Sequence, residues 1–158
     1  MPTDHKILIY GLYTDRYPLY FSLHANRFNM DSLFEISERL IENVPRKIIR
    51  EPMEWLSRGD RMIGIKGARG VGKSTLLLQF ANEKLKGKRK LYVSLDDIEF
   101  AHRGLAHFAD EFVKHGGEYL LVDEVHSYQG WAREMKNIYG RYSGSAYCVH
   151  GLINASTK

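Results

Sequence analysis

The chain has 158 residues, 44% hydrophobic and 27% charged, the length of one ordinary domain with a composition that excludes disordered and fibrous classes. A net charge of +4 and a lone cysteine, Cys148, exclude an internal disulfide framework and point to a reducing compartment, with the cytoplasm as the expected location. The longest apolar stretches, such as Tyr119 to Val122, fall far short of the roughly 20 residues needed to cross a bilayer, so no membrane partner is expected.

Residues 1–29 hold Tyr10, Tyr13, Tyr17 and Tyr20 with Pro18, Asn26 and Asn29, show no sustained period, and read as an irregular segment. Translation starting at Met30 would leave this segment outside the natural protein. From Asp31 the pattern changes. Leu33, Phe34, Ile36, Leu40, Ile41 and Val44 recur at three- and four-residue steps, one apolar helix face, with Asp31 or Ser32 as the cap and Pro45 as the stop. A second short amphipathic piece, Pro52 to Leu56, precedes the turn Arg58-Gly59-Asp60.

Met62 to Lys66 is a short apolar run, Gly67-Ala68-Arg69-Gly70-Val71-Gly72-Lys73-Ser74 follows, and Thr75 to Leu85 is apolar at helical spacing. Strand, glycine loop and helix in that order match the motif G-x-x-x-x-G-K-[ST] in the context it requires. Glycines let consecutive main-chain N–H groups wrap a phosphate, and the helix turns its partly positive N-terminus on the same anion. The expected cofactor-binding residues are Gly67, Ala68, Arg69, Gly70, Val71, Gly72, Lys73, Ser74 and Thr75. Lys73 is expected to reach the β- and γ-phosphates of ATP, and Ser74 to ligate Mg²⁺. Arg69 reads as a solvent-facing position within the loop.

Lys84, Lys86, Lys88, Arg89 and Lys90 form a basic run. It reads first as a solvated turn and second as a surface for nucleic acid. The seven histidines are scattered, without cysteines or carboxylates at metal-ligand spacing. Lys90 to Leu95 reads as a strand ending at Asp96-Asp97, a pair that either caps the next helix or faces a ligand, the cap being favoured. Leu105 to Lys114 reads as a helix closed by Gly116-Gly117. Tyr119 to Val122, followed by Asp123-Glu124, has the form of a buried parallel strand delivering two acids to a site. After a phosphate loop this is a Walker B pattern. Asp123 is the second expected Mg²⁺ ligand. Lys73 and Glu124 are the expected catalytic residues, Lys73 at the phosphates and Glu124 orienting and deprotonating the attacking water.

Gly67 to Ser74, Tyr92 to Asp97, and Tyr119 to Val125 with Trp131 together resemble the prokaryotic AAA-type ATPases of the AAA_14 kind, over roughly residues 31 to 142. The resemblance implies an α/β P-loop NTPase three-layer sandwich with a parallel sheet, ATP hydrolysis in the full-length relative, and self-association through the core. It also implies a helix beginning at Trp131, with that indole as a packing anchor. The core is expected over residues 30–142. Beyond it, Ser143 to Thr157 departs from the strand and Thr-Gly-Ser-Ser-like sensor of such relatives. Under one choice of codons, dropping a base near Ser143 yields Pro-Asp-Leu-Arg-Ile-Val-Phe-Thr-Gly-Ser-Ser, which resembles the missing part. The expectation is therefore an aberrant, frameshifted tail over 143–158 and a sheet incomplete at its C-terminus. The alternative to an active ATPase is a catalytically incompetent fragment that retains at most nucleotide binding or subunit association.

Overall fold

The computed structural model describes residues 29–46, 56, 60–96, 103–144 and 146–151. Expectations for residues 1–28, for the piece from Pro52 except Leu56, and for 152–158 lie outside the described residues. Within them, four helices and four strands follow one another as α1 (Met30–Glu42), β1 (Met62–Lys66), α2 (Lys73–Lys84), β2 (Lys90–Ser94), α3 (Leu105–Lys114), β3 (Tyr119–Asp123), α4 (Trp131–Arg141) and β4 (Ala146–Gly151). The four strands form one parallel sheet in the order β1-β4-β3-β2, so the fold is mixed α/β around a small parallel sheet.

Helix α1 starts one residue before its expected cap. The Asn29 side chain accepts from the Ser32 N–H at 3.2 Å, which makes Asn29, and neither Asp31 nor Ser32, the capping residue. Asparagine is among the strongest N-caps, and Asp31 is left in the first turn, where the helix dipole favours an acid. The helix also stops before Pro45: Asn43 turns both its N–H (3.2 Å) and its Nδ2 (2.8 Å) onto the Arg39 carbonyl. Two polar side chains of α2 then tie this end down, Asn82 donating to the Ile41 carbonyl at 2.9 Å and Gln79 to that of Pro45 at 2.7 Å.

Alternation along the strands sorts the core into two clusters on opposite faces of the sheet. Leu91, Val93, Leu120 and Val122 pack with Leu105, Phe108 and Phe112 of α3 and Met135 and Ile138 of α4. Leu121, with the half-buried Ile63, Ile65 and Tyr92, packs on the other side against Leu76, Leu77, Phe80 and Ala81 of α2. Trp131 lies half-buried against the first cluster, the packing position its place at the head of α4 implies. β2 is an edge strand, and α1 covers it: the Ser37 hydroxyl accepts from the Tyr92 N–H at 2.8 Å, occupying an amide that would otherwise offer itself to another chain.

Part of the 143–158 stretch, Ala146–Gly151, supplies one of the two inner strands. β4 pairs in parallel with β1 from Met62↔Tyr147 to Lys66↔Gly151, and with β3 from Tyr119↔Ala146 to Val122↔Val149. A ladder is made by main-chain groups, and Ala-Tyr-Cys-Val-His is rich enough in strand-favouring residues to enter one whatever its origin.

Candidate functional site

The chain leaves β1 into the loop Gly67–Gly72 and re-enters regular structure at Lys73. Gly70 (φ 79°) and Gly72 (φ 80°) both sit in the left-handed region, which costs a side-chain-bearing residue about 1–2 kcal/mol and glycine almost nothing. Gly72 is the N-cap of α2, and no side chain caps that helix. Arg69, Gly70 and Val71 are exposed, Gly67 and Gly72 half-buried. Lys73 is only 8% exposed, and its ammonium folds back over the loop to donate to the Ala68 carbonyl. An uncapped helix start, a left-handed glycine hinge and a sheltered ammonium thus occupy one spot, a donor set suited to an anion. Ser74 and Thr75 continue the first turn, half-buried.

Alternation in β3 decides where the acids go. Leu121 faces α2, so Asp123, two residues on, emerges on the same side as the first turn of that helix. Asp123 is 2% exposed. Its Oδ1 accepts from the Glu124 N–H at 2.8 Å, and its Oδ2 accepts from the Tyr92 hydroxyl at 2.6 Å. Burial holds the Tyr92 phenol well above its ordinary range, its bond to Asp123 and the Asp123 charge add to the rise, and Ser74 opposes it. The phenol therefore keeps its proton and remains a donor to the carboxylate at neutral pH.

Glu124 stands at φ 51°, ψ 38°. Among the described residues it alone, glycines aside, has a positive φ, and a single left-handed non-glycine residue costs of order 1–3 kcal/mol, a strain that gathers at functional sites. The twist ends the strand and turns the Glu124 carboxylate to His126, with Oε2 3.2 Å from Nδ1. A 3₁₀ turn over Val125–Ser127 leads on to Tyr128 and α4. Among the described residues no three or more His, Cys, Asp or Glu gather as a metal set; a hydroxyl and one buried carboxylate, Ser74 and Asp123, are what the site offers a hard cation.

Of the residues singled out in the sequence, Lys73 and Ser74 open α2, while Asp123 and Glu124 follow Leu121 at the end of β3, Asp123 on the face that α2 covers. Asp96 lies in the turn after β2, its N–H bonded to the Ser94 hydroxyl at 3.4 Å; Asp97 is outside the described residues. The basic run lies elsewhere and is largely occupied. Lys86 pairs with Glu83 at 3.9 Å, Lys88 with Glu118 at 3.2 Å, and Arg89 donates to the His115 carbonyl at 2.7 Å while its guanidinium lies 4.2 Å from the centre of the Phe34 ring. Sequence reasoning missed Tyr92, whose hydroxyl donates to Asp123. Its signal was present only as a phenol on a buried strand, where a hydroxyl must find a partner.

The family model AAA_14, described as an AAA domain, matches residues 59–152, more than half of the chain and reaching through β4. No curated protein matches the sequence. No helix among the described residues is long and apolar enough to cross a membrane.

Proposed function

The chain belongs to the AAA_14 family of AAA domains, and we propose that its glycine loop and β3 acids bind Mg-ATP, in a three-layer P-loop architecture, for hydrolysis by the complete assembly. The observation that carries this reading is the sheltered Lys73 folded over the glycine loop, with the buried Asp123 leaving β3 on the face that α2 covers.

The main-chain N–H groups of Gly67–Gly72 would wrap the β-phosphate, and the N-terminus of α2 would face the same charge. Lys73 would exchange the Ala68 carbonyl for phosphate oxygens, a better partner for an ammonium. Ser74 and Asp123 would hold Mg²⁺, which when bound supplies charge neutralisation at the phosphate oxygens. Glu124, released from His126, would orient a water and accept its proton. Self-association through the same core fits the family and belongs to this reading.

Binding of mant-ATP, a fluorescent ATP analogue, with and without magnesium is the test. Loss of a charged hydrogen bond in Lys73→Ala should weaken affinity by roughly 10- to 150-fold, about 1.5–3 kcal/mol. Phosphate release should fall in Glu124→Gln with binding kept. Binding without any difference in turnover among wild type, Lys73→Ala and Glu124→Gln leaves a nucleotide-binding protein that does not hydrolyse; absence of magnesium-dependent binding ends the proposal.

A further inference from the structure

Tyr92 is neither in the glycine loop nor among the β3 acids, yet it joins them. Its main chain is fixed by the Ser37 hydroxyl at 2.8 Å and by the β2–β3 ladder, where it pairs with Leu121. Its ring is half-buried against the α2 cluster, and its oxygen lies 2.6 Å from Asp123 Oδ2. With Asp123 Oδ1 already taken by the Glu124 N–H at 2.8 Å, the carboxylate is held at both oxygens and cannot rotate about its last torsion. The acid is thereby aimed from the end of β3, on the face that carries α2.

We infer that Tyr92 is a positioning residue for the divalent cation, orienting the Asp123 carboxylate through one phenol hydrogen bond. This rests on the nucleotide reading of the site. A phenol that merely satisfies a buried acid would matter equally with and without metal. A phenol that aims a metal ligand matters only when metal is present. Partners that orient ligands from behind are worth about 10- to 100-fold in metal affinity.

The test compares mant-ATP dissociation constants in EDTA and in magnesium for wild type and Tyr92→Phe, which keeps the ring and loses only the oxygen. The quotient of the two constants isolates the contribution of the metal, because terms for free nucleotide and metal cancel between variants. Tyr92→Phe should lower that quotient about 10-fold or more while the EDTA value stays unchanged, which also shows that the variant is folded. Ser37→Ala, which removes the bond to the Tyr92 main chain and leaves the phenol, should keep the wild-type quotient. An unchanged quotient in Tyr92→Phe overturns the inference. So does an equal loss in EDTA and magnesium, or a Phe variant that no longer binds in EDTA, since the phenol would then serve the cradle or the fold. Wild-type protein that binds no mant-ATP under either condition overturns the nucleotide reading itself, and this inference with it.

Discussion

Helix α3 begins at Gly104, at φ 75° and ψ 145°, and has no capping side chain of its own sequence. Its cap comes from α4: Glu134 Oε2 accepts from the Ala106 N–H at 2.8 Å, while Oε1 accepts from the Tyr128 hydroxyl at 2.8 Å. One carboxylate therefore joins α3, α4 and the segment that follows Glu124. In Glu134→Ala the lost cap costs about 1 kcal/mol, the lost charge at a helix start about 0.5, and the orphaned phenol about 1, giving roughly 2–3 kcal/mol in all. For a domain of this size that lowers Tm by about 5–10 °C. Glu134→Gln keeps a single accepting oxygen and no charge, so its melting point should fall between the two. Burial and then the Glu134 carboxylate raise the Tyr128 pKa. A raised folded-state pKa means a stabilising contribution complete below the ordinary tyrosine value and lost as pH climbs through the folded one. The gap between wild type and Glu134→Ala, measured by circular dichroism, should therefore narrow in alkali. Alanine and glutamine variants melting together with wild type at neutral pH would refute the reasoning, because a cap with two well-formed bonds cannot be neutral.

Arg61, just before β1, donates from Nη2 to the carbonyls of Tyr139 at 2.8 Å and Tyr142 at 2.6 Å, with its guanidinium 4.3 Å from the centre of the Tyr139 ring. Lysine has a point charge where this site uses a fork, so Arg61→Lys should lose about 1–2 kcal/mol in urea denaturation; superimposable curves would count against the clamp. The Arg89 N–H and then Lys88 hold the Glu118 carboxyl below its ordinary range. A depressed folded-state pKa stabilises above the unfolded value and ceases to do so as pH falls through the folded one. Glu118→Gln should accordingly melt below wild type at neutral pH and converge with it below the usual carboxylate range.

What the sequence made legible was local. The glycine spacing of residues 67–72 announces its own backbone requirement, since left-handed positions select glycine, and the run from Tyr119 announces a buried strand by composition alone. Leu105–Lys114 was expected and found with the same ends, because the two phenylalanines four apart and the following glycines mark both face and stop. The cap of α1 was misplaced because Asn29, Asp31 and Ser32 are all competent caps and only the entering chain direction chooses among them. Glu134 and Tyr92 were not legible. Their partners lie 28 and 31 residues away, and which face each meets depends on sheet register and helix packing that no local pattern encodes.

Register also explains why the inner strand β4 matters to a site to which it contributes no expected ligand. Val149 of β4 pairs with Gly64 of β1 on one side and Val122 of β3 on the other, so the glycine loop and Asp123 leave the sheet at nearly the same level. They are separated by two strand spacings, about 9.5 Å. Helices fall on both sides of this point, α2 against one face and α3 with α4 against the other, and a reversal of that kind opens the crevice where ligands bind in parallel sheets. The β4 backbone thus sets the spacing between the glycine loop and Asp123, while Tyr92 holds that acid from the edge strand.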